Sequence, residues 1–229
     1  MKRIFPILGL LTAVLLSYAL YAALELAPTE QTMGDVQRIF YYHVPSAWTA
    51  FILFTINFVA SIVYLMKRSA KADAVAVTTA EVGVVFCTIV LITGPLWARP
   101  VWGIWWTWDV RLTSTLVLWL IYVSYLILRR FSSSGQTPVI AAALAVFGAL
   151  DVPLVYFSIW FFRTQHPQPV IGGGGSLDPR MGRVLLLNWL AFSCLALMLC
   201  WSRYRLERLQ REVEQAQAFD PILEPRSHR

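Results

Sequence analysis

Long apolar runs alternate with short polar segments along the whole chain. Six of the runs reach the length of about 20 residues that a helix needs to cross the hydrocarbon of a bilayer. This pattern predicts an all-α integral membrane protein with six transmembrane helices at residues 4–24, 46–66, 74–97, 112–128, 138–161 and 183–202. The six spans form one membrane domain, residues 1–203, and a polar tail, residues 204–229, follows on the cytoplasmic side.

Composition removes the soluble and the nucleic-acid-binding alternatives. Hydrophobic residues make up 58% of the chain, charged residues make up 14%, and the mean hydropathy is +0.60. A soluble domain carries about 25% charged residues, so the lipid bilayer has to cover the apolar surface of this chain. The same composition excludes intrinsic disorder. The net charge of +6 does not indicate a nucleic acid partner, because the basic residues lie in short clusters between apolar runs, as in membrane loops.

The distribution of basic residues predicts the orientation of the chain. Cytoplasmic loops carry an excess of Lys and Arg. With the N-terminus inside, thirteen of the 19 Lys and Arg residues are cytoplasmic, in segments 1–3, 67–73, 129–137 and 203–229. We therefore expect both termini in the cytoplasm. The first run should remain as a helix, since no small-residue cleavage site follows a short apolar core. Three loops then face outward: 25–45, 98–111 and 162–182.

The second outward loop is rich in tryptophan. Five of the ten tryptophans fall close together, at Trp97, Trp102, Trp105, Trp106 and Trp108. Anchoring at the lipid headgroups explains single tryptophans at helix ends, whereas five of them form a rigid apolar surface that suits a large planar ligand. On a helix, Trp102, Trp105 and Trp106 would share one face. Gly103 would let the ligand approach the backbone closely.

Charged residues accompany this tryptophan run. Asp109 stands just before the fourth span, where it can cap the helix or belong to the ligand site. Arg99 and Arg111 can pair with ligand carboxylates, because a guanidinium group binds a carboxylate through two hydrogen bonds. Arginine is also ordinary at the headgroup boundary. All three residues belong to the candidate site.

Two of the three histidines also lie on the outward side. His43 stands at the mouth of the second span and His166 in the third outward loop, whereas His228 is in the tail. Imidazole binds iron well, and two histidines on opposite faces of a porphyrin complete its six-coordination. A planar ligand with two carboxylates and an iron that accepts imidazole is haem. His43 and His166 are therefore the candidate axial ligands.

The sequence lacks a motif for covalent haem attachment and a phosphate-binding loop. No C-x-x-C-H motif is present, which predicts haem b held without covalent attachment. No lysine follows the glycines at 172–175, so they are not a phosphate loop; we expect them to let the loop of His166 move. With no nucleotide site or catalytic triad in the sequence, we predict a binding and transfer component and not an enzyme.

Three segments resemble one known family. Residues 102–114, with the sequence WGIWWTWDVRLTS, resemble the tryptophan-rich signature of the WWD haem-handling protein superfamily of cytochrome c biogenesis. Within that superfamily the chain is similar to its small six-span family, cytochrome c maturation protein C (CcmC, haem exporter protein C). The segments Tyr42–Pro45 and Thr93–Trp97 fall where that family has them, and the similarity runs nearly end to end.

The resemblance implies an activity and a set of partners. Such proteins lie in the bacterial inner membrane, hold haem at its periplasmic face and present it to a haem chaperone, protein E. They work beside an ATP-binding-cassette pair, proteins A and B, and a small membrane protein D. Carried over by position, His43 and His166 would be the axial ligands of the iron, and the run Trp102–Asp109 would be the surface on which the haem lies.

Two alternatives from other classes stay open on the residues alone. One is a haem b electron-transfer subunit, although such subunits usually place their histidines inside the spans. The other is a membrane scaffold or permease subunit without haem, in which the tryptophans are anchors. A Soret band after haem loading separates the second alternative from haem binding, and redox cycling with a quinol indicates the first.

The orientation is testable by cysteine labelling. A cysteine introduced at Val101 or Gly173 should react with a membrane-impermeant thiol reagent in intact spheroplasts, because both positions lie in outward loops. The unsubstituted chain is the control, since Cys87, Cys194 and Cys200 fall within apolar runs. Reaction only after the membrane has been opened would contradict the predicted orientation.

Overall fold

The computed structural model describes residues 4–132, 134–167 and 177–223, with side chains described as far as residue 217. Within these ranges the protein is helical and has no strand. The helices are α1 (Ile4–Tyr21), α2 (Phe40–Lys67), α3 (Ala70–Trp102), α4 (Val110–Phe131), α5 (Thr137–Ala149), α6 (Asp151–Phe161) and α7 (Pro179–Leu223). A π-helical turn, Ala22–Leu26, extends α1, and a 3-10 turn, Asp35–Ile39, leads into α2.

The prediction of six membrane-spanning segments is confirmed. Six helical segments are long and apolar enough to cross a bilayer: Ile4–Leu26, Asp35–Lys67, Ala70–Trp102, Val110–Phe131, Thr137–Phe161 and Pro179–Gln217. α5 and α6 together make up the fifth of these segments. Their outer faces expose many large apolar side chains, among them Leu10, Leu11 and Val14 of α1, as expected for surfaces that face lipid.

The predicted helix ends were wrong at the two places nearest the candidate site. α2 begins at Phe40, so the segment with His43 is helical and not a loop, and Pro45 lies inside the helix. α3 continues to Trp102 through Pro95 and Pro100, which leaves a shorter connection than the expected loop of residues 98–111. Proline is tolerated within membrane helices because neighbouring groups satisfy the freed carbonyls, so it did not mark a boundary here.

The last two segments lie where the sequence predicts them, the fifth with a break near Pro153 and the sixth with a helical extension. The fifth is broken at Leu150, whose amide donates to the Phe147 carbonyl in a tighter turn (3.1 Å), and Pro153 lies in the first turn of α6. α7 runs without interruption across the predicted domain boundary at residue 203. The expected flexible glycines at 172–175 lie outside the described residues.

Aromatic stacking at a close helix contact holds the middle of the bundle together. The rings of Phe54 in α2 and Tyr122 in α4 stack with centroids 3.9 Å apart and planes 13° apart. Both side chains are completely buried. Gly83 of α3 lies directly against Phe54, where a Cβ atom would come within 2.6 Å of the ring. Glycine is therefore required for α3 to approach α2 at this level.

An ion-pair cluster ties three helices together at the start of α3, the end opposite the tryptophans. Buried Asp73 accepts two hydrogen bonds from Arg129 of α4 (2.9 and 2.8 Å) and one from Arg211 of α7 (2.6 Å). Arg211 also pairs with Glu207, and Arg203 of α7 binds Glu81 of α3. The hydrogen bond from Arg211 to Asp73 therefore holds the extension of α7 beyond residue 203 against the bundle.

Candidate functional site

The structure brings His43 and His166 together at one end of the bundle. Their ring centroids are 6.3 Å apart and their planes differ by 33°. His43 projects from the first turns of α2, and His166 lies in the connection that follows α6. The proximity of these two histidines, far apart in the sequence, defines the candidate site.

The hydrogen bonds of His43 determine which of its ring nitrogens is free. Its Nδ1 atom lies 2.9 Å from Oγ1 of Thr93 in α3. That hydroxyl already donates its proton to the Ile89 carbonyl (2.6 Å), so it accepts from the ring. Nδ1 of His43 therefore carries the proton, and Nε2 has a free lone pair.

His166 is in the same tautomeric state for a similar reason. Its Nδ1 atom lies 2.9 Å from the Pro167 carbonyl, which can only accept, so this nitrogen also carries the proton. Desolvation by burial, followed by the positive charge of Arg111, lowers the pKa of His166 from 6.5 to about 3. The ring is therefore neutral at physiological pH, which is the form that binds metals.

The distance between the two rings equals the one expected for two imidazoles bound to the same metal. Among the described residues, neither Nε2 atom has a hydrogen-bond partner. Two imidazoles bound to one metal at about 2 Å, with a further ring radius of about 1 Å on each side, have centroids about 6 Å apart. The observed 6.3 Å matches that separation.

The pair is too small to hold a bare metal ion. Within the described ranges, no group of three or more His, Cys, Asp or Glu side chains is arranged to bind one. Protein sites for zinc use three or four side-chain ligands. Two imidazoles suit a metal that brings its other ligands with it, as iron does in a porphyrin.

The tryptophans do not form the single helical face considered from the sequence. α3 ends at Trp102, and Gly103 adopts a left-handed conformation (φ 79°) that terminates the helix, so Trp105 and Trp106 lie beyond it in an irregular segment. Two edge-to-face pairs form instead: Trp97 with Trp102 (5.2 Å) and Trp106 with Trp108 (5.8 Å). The positive φ accounts for glycine at 103.

An apolar surface remains accessible in this segment. Trp105 is 56% and Trp108 77% exposed. Trp106 and Trp108 also border a cleft of about 490 Å³, lined by Leu91, Pro95, Trp106, Trp108 and Leu116. A volume of several hundred cubic ångströms is typical of sites for small organic ligands.

Asp109 joins the tryptophan segment to the segment that carries His166. Its Oδ1 atom accepts the Leu112 amide (3.0 Å) and caps α4. Its Oδ2 atom accepts the Thr107 hydroxyl (3.0 Å) and the backbone amide of Gln165 (3.3 Å). The proposed cap is thus present, and the same carboxylate also holds the backbone next to His166.

Both candidate arginines donate some of their guanidinium N–H groups to backbone carbonyls. Arg111 donates from one terminal nitrogen to the Val155 and Tyr156 carbonyls of α6 (3.2 and 3.5 Å). Arg99 donates to the Gly103 carbonyl at the end of its own helix. These bonds brace α4 against α6 and close the end of α3. The remaining guanidinium N–H groups have no partner among the described residues, so a carboxylate can still be bound there.

Sequence reasoning missed two neighbours of His43. Thr93 was assigned no role although it lies in the segment Thr93–Trp97, which was recognised only by its similarity to the family. A Cβ atom at Gly94 would lie 3.4 Å from Cε1 of His43, an ordinary contact distance, so Gly94 adjoins the ring. A threonine and a glycine near a helix end have many ordinary explanations, and only the fold places them against the ring.

The fold defines a polytopic membrane protein with two paired imidazoles at one end of its bundle. Comparison with known proteins gives the family. The chain belongs to the family described as Heme exporter protein C, which it matches over residues 1–219.

Similar proteins occur in bacteria and in mitochondria. The Heme exporter protein C of Bradyrhizobium diazoefficiens is 36% identical over 218 residues, covering 94% of this chain and 82% of that protein. That of Escherichia coli K12 is 31% identical over 205 residues, covering 89% and 82%. A cytochrome c biosynthesis ccmC-like mitochondrial protein of Marchantia polymorpha is 31% identical over 179 residues, covering 78% of this chain and 76% of that protein. The resemblance seen in the sequence is therefore confirmed.

The double role of Asp109 leads to a testable difference between two substitutions. Asp109→Asn keeps an oxygen that can accept from the Leu112 amide but loses the second carboxylate oxygen, so the amide of Gln165 should be released. A hydrogen bond to a charged group contributes about 1.5–3 kcal/mol, so amide hydrogen exchange in residues 162–167 should accelerate by roughly tenfold or more. Asp109→Ala should also accelerate exchange at the start of α4, because losing an N-cap costs about 1 kcal/mol. Unchanged exchange of residues 162–167 in both variants would refute the connection.

Proposed function

We propose that this protein binds haem b non-covalently, as cargo, at the periplasmic face of the bacterial inner membrane and presents it to a haem chaperone during cytochrome c maturation. Membership of the Heme exporter protein C family and the six membrane-spanning helical segments support the general class. The paired imidazoles of His43 and His166 are the observation that carries the specific proposal.

The two histidines would supply the axial ligands of the haem iron. Both direct their proton-bearing Nδ1 atoms to oxygen acceptors, and both keep Nε2 available. In metal proteins, the hydrogen bond that a ligating histidine donates from its other ring nitrogen fixes its tautomer and its orientation. When bound, haem would supply the iron and the four porphyrin nitrogens, and His43 and His166 would supply two imidazole nitrogens.

The tryptophan segment would support the porphyrin. Trp105 and Trp108 expose large aromatic surfaces, and aromatic rings are apolar and polarizable, which suits stacking against a porphyrin. Trp97, Trp102, Gly103 and Trp106 would complete the surface by holding these two in place. The free N–H groups of Arg99 and Arg111 are the donors for the haem propionates, and Asp109 holds the segments together.

The orientation and the partners are part of the same proposal. The excess of basic residues in segments 1–3, 67–73, 129–137 and 203–229 supports cytoplasmic termini. With that orientation the histidines and tryptophans would lie on the periplasmic side. The haem chaperone protein E would receive the cargo there. The ATP-binding-cassette proteins A and B and the small membrane protein D would form the surrounding complex and supply any ATP-driven step.

The histidines are tested by single replacements with chemical rescue. Purified wild-type protein loaded with haem should give a six-coordinate, low-spin spectrum. His43→Gly and His166→Gly each remove one iron bond and should shift the spectrum towards five-coordinate or water-ligated haem. Added imidazole should restore the low-spin bands, because it replaces the missing nitrogen. His228→Gly is the matched control and should keep the wild-type spectrum.

Other outcomes identify the competing hypotheses. Wild-type spectra in both single variants, without imidazole, would show that neither histidine is an iron ligand. The absence of a Soret band in the wild-type protein after loading would favour a haem-free scaffold. Turnover with a quinol would favour an electron-transfer subunit.

The role of the tryptophans is tested against an exposed tryptophan that lies elsewhere in the protein. Replacing Trp105 and Trp108 together by Leu should weaken haem binding by about 1–3 kcal/mol, because each aromatic contact contributes about 0.5–1.5 kcal/mol beyond burial. That corresponds to roughly fivefold to 150-fold in affinity. Trp160→Leu is the control, since Trp160 is 43% exposed on α6 and lies outside the tryptophan segment. Equal loss of haem per folded molecule in the control would indicate anchoring and not stacking.

A further inference from the structure

We propose that Thr93 is a positioning residue that fixes the tautomer and the ring orientation of His43, so that Nε2 of this histidine faces the haem iron. The proposal rests on the proposed function, because it assumes that His43 is an iron ligand. Thr93 itself contacts only the protein, and it would act on the cargo entirely through the imidazole.

The number of protons at Thr93 determines the direction of the hydrogen bond. A threonine hydroxyl has one proton. Oγ1 of Thr93 lies 2.6 Å from the Ile89 carbonyl and 3.4 Å from the Val90 carbonyl, and a carbonyl cannot donate. The proton of the hydroxyl is therefore directed into the backbone of α3. Only the lone pair of Oγ1 is left for the imidazole at 2.9 Å.

This arrangement selects one tautomer of His43. The lone pair of Oγ1 requires a proton on Nδ1, so Nε2 is left without one. In the opposite tautomer, the unprotonated Nδ1 atom would face an oxygen that has no proton to offer. The geometry at Thr93 thus favours the only neutral tautomer in which Nε2 can bind a metal.

The same contact selects one orientation of the ring. Turning the imidazole by 180° would place carbon Cδ2 against Oγ1 of Thr93 and lose the hydrogen bond. Gly94, the next residue, adjoins the Cε1 edge, where even a Cβ atom would lie at 3.4 Å. Thr93 therefore holds the Nδ1 side of the ring, and Gly94 packs beside Cε1.

Two substitutions separate the hydrogen bond from the packing. Thr93→Val keeps the branched shape and removes the oxygen, whereas Thr93→Ser keeps the oxygen. Thr88 provides a matched control on the same helix: its hydroxyl donates to the Val84 carbonyl (2.7 Å) and accepts from the indole nitrogen of Trp119 (2.8 Å). Thr88→Val therefore removes an equivalent acceptor that has no contact with His43.

The first measurement uses the protein without haem. Nitrogen-15 NMR of histidine-labelled protein distinguishes protonated from unprotonated ring nitrogens, and a His43→Gln sample assigns the signals. Wild type, Thr93→Ser and Thr88→Val should show His43 with the proton on Nδ1. Thr93→Val should show a mixture of tautomers. A His43 protonated on Nε2 in wild type, or a Thr93→Val spectrum equal to wild type, would overturn the proposal.

The second measurement is a haem titration followed by the low-spin absorbance bands. Loss of such an outer hydrogen bond typically weakens metal binding 10-fold to 100-fold, so Thr93→Val should lose affinity within that range. Thr93→Ser should restore it, and Thr88→Val should bind as wild type does. Equal affinity in Thr93→Val and wild type, or a loss of similar size in Thr88→Val, would overturn the role of Thr93.

His43→Gly, titrated in parallel, separates this proposal from the proposed function. If His43→Gly loses the low-spin form and Thr93→Val does not, the positioning role fails while haem ligation stands. If His43→Gly binds haem with an unchanged spectrum, the proposed ligand itself fails, whatever tautomer the NMR spectrum shows.

Discussion

The absence of hydrogen-bonding water in the bilayer is the constraint on which this structure depends. Every backbone N–H and C=O group at membrane depth needs a partner within the protein, so the chain crosses only as helices. Irregular backbone is confined to the helix ends, and there it has to be held by side chains. Asp109, Arg99 and Arg111 do this at the tryptophan end, since all three bind backbone groups. The candidate site is therefore built at the point where the helices stop.

This constraint explains which parts of the fold were predictable. Runs of apolar residues are a direct consequence of burial in lipid, and all six were located from the sequence. Their ends were less predictable. In a soluble protein, Pro45 and Pro100 would favour the end of a helix, but within a membrane bundle both lie inside helices. The connection between α3 and α4 is consequently shorter than expected, and only part of the tryptophan run lies in it.

The types of residue in the outward loops were a better guide to the candidate site than the helical spacing of the tryptophans. His43 and His166 were paired because imidazole, tryptophan and arginine together suit haem, and the structure places the two rings 6.3 Å apart. The shared helical face of Trp102, Trp105 and Trp106 was wrong because Gly103 ends the helix between them. The bond from Asp109 to Gln165 and the contact of Thr93 with His43 join segments that are distant in sequence. No local pattern encodes such contacts; they follow only from how the helices pack.

The two imidazoles are held in unequal ways, and under the proposed function this inequality would affect the release of haem. His43 projects from a long helix, and its Nδ1 atom is bonded to a side chain on a second helix, so moving it requires moving packed elements. His166 lies in an irregular segment, its Nδ1 atom is bonded to the carbonyl of the adjacent Pro167, and its backbone is tied to the bundle by the amide of Gln165 on Asp109. These bonds involve no backbone hydrogen bond within a helix, so breaking them would leave the helices intact. Under the proposed function the protein has to hold haem and then hand it on, and a site with one rigid and one releasable ligand would meet both requirements.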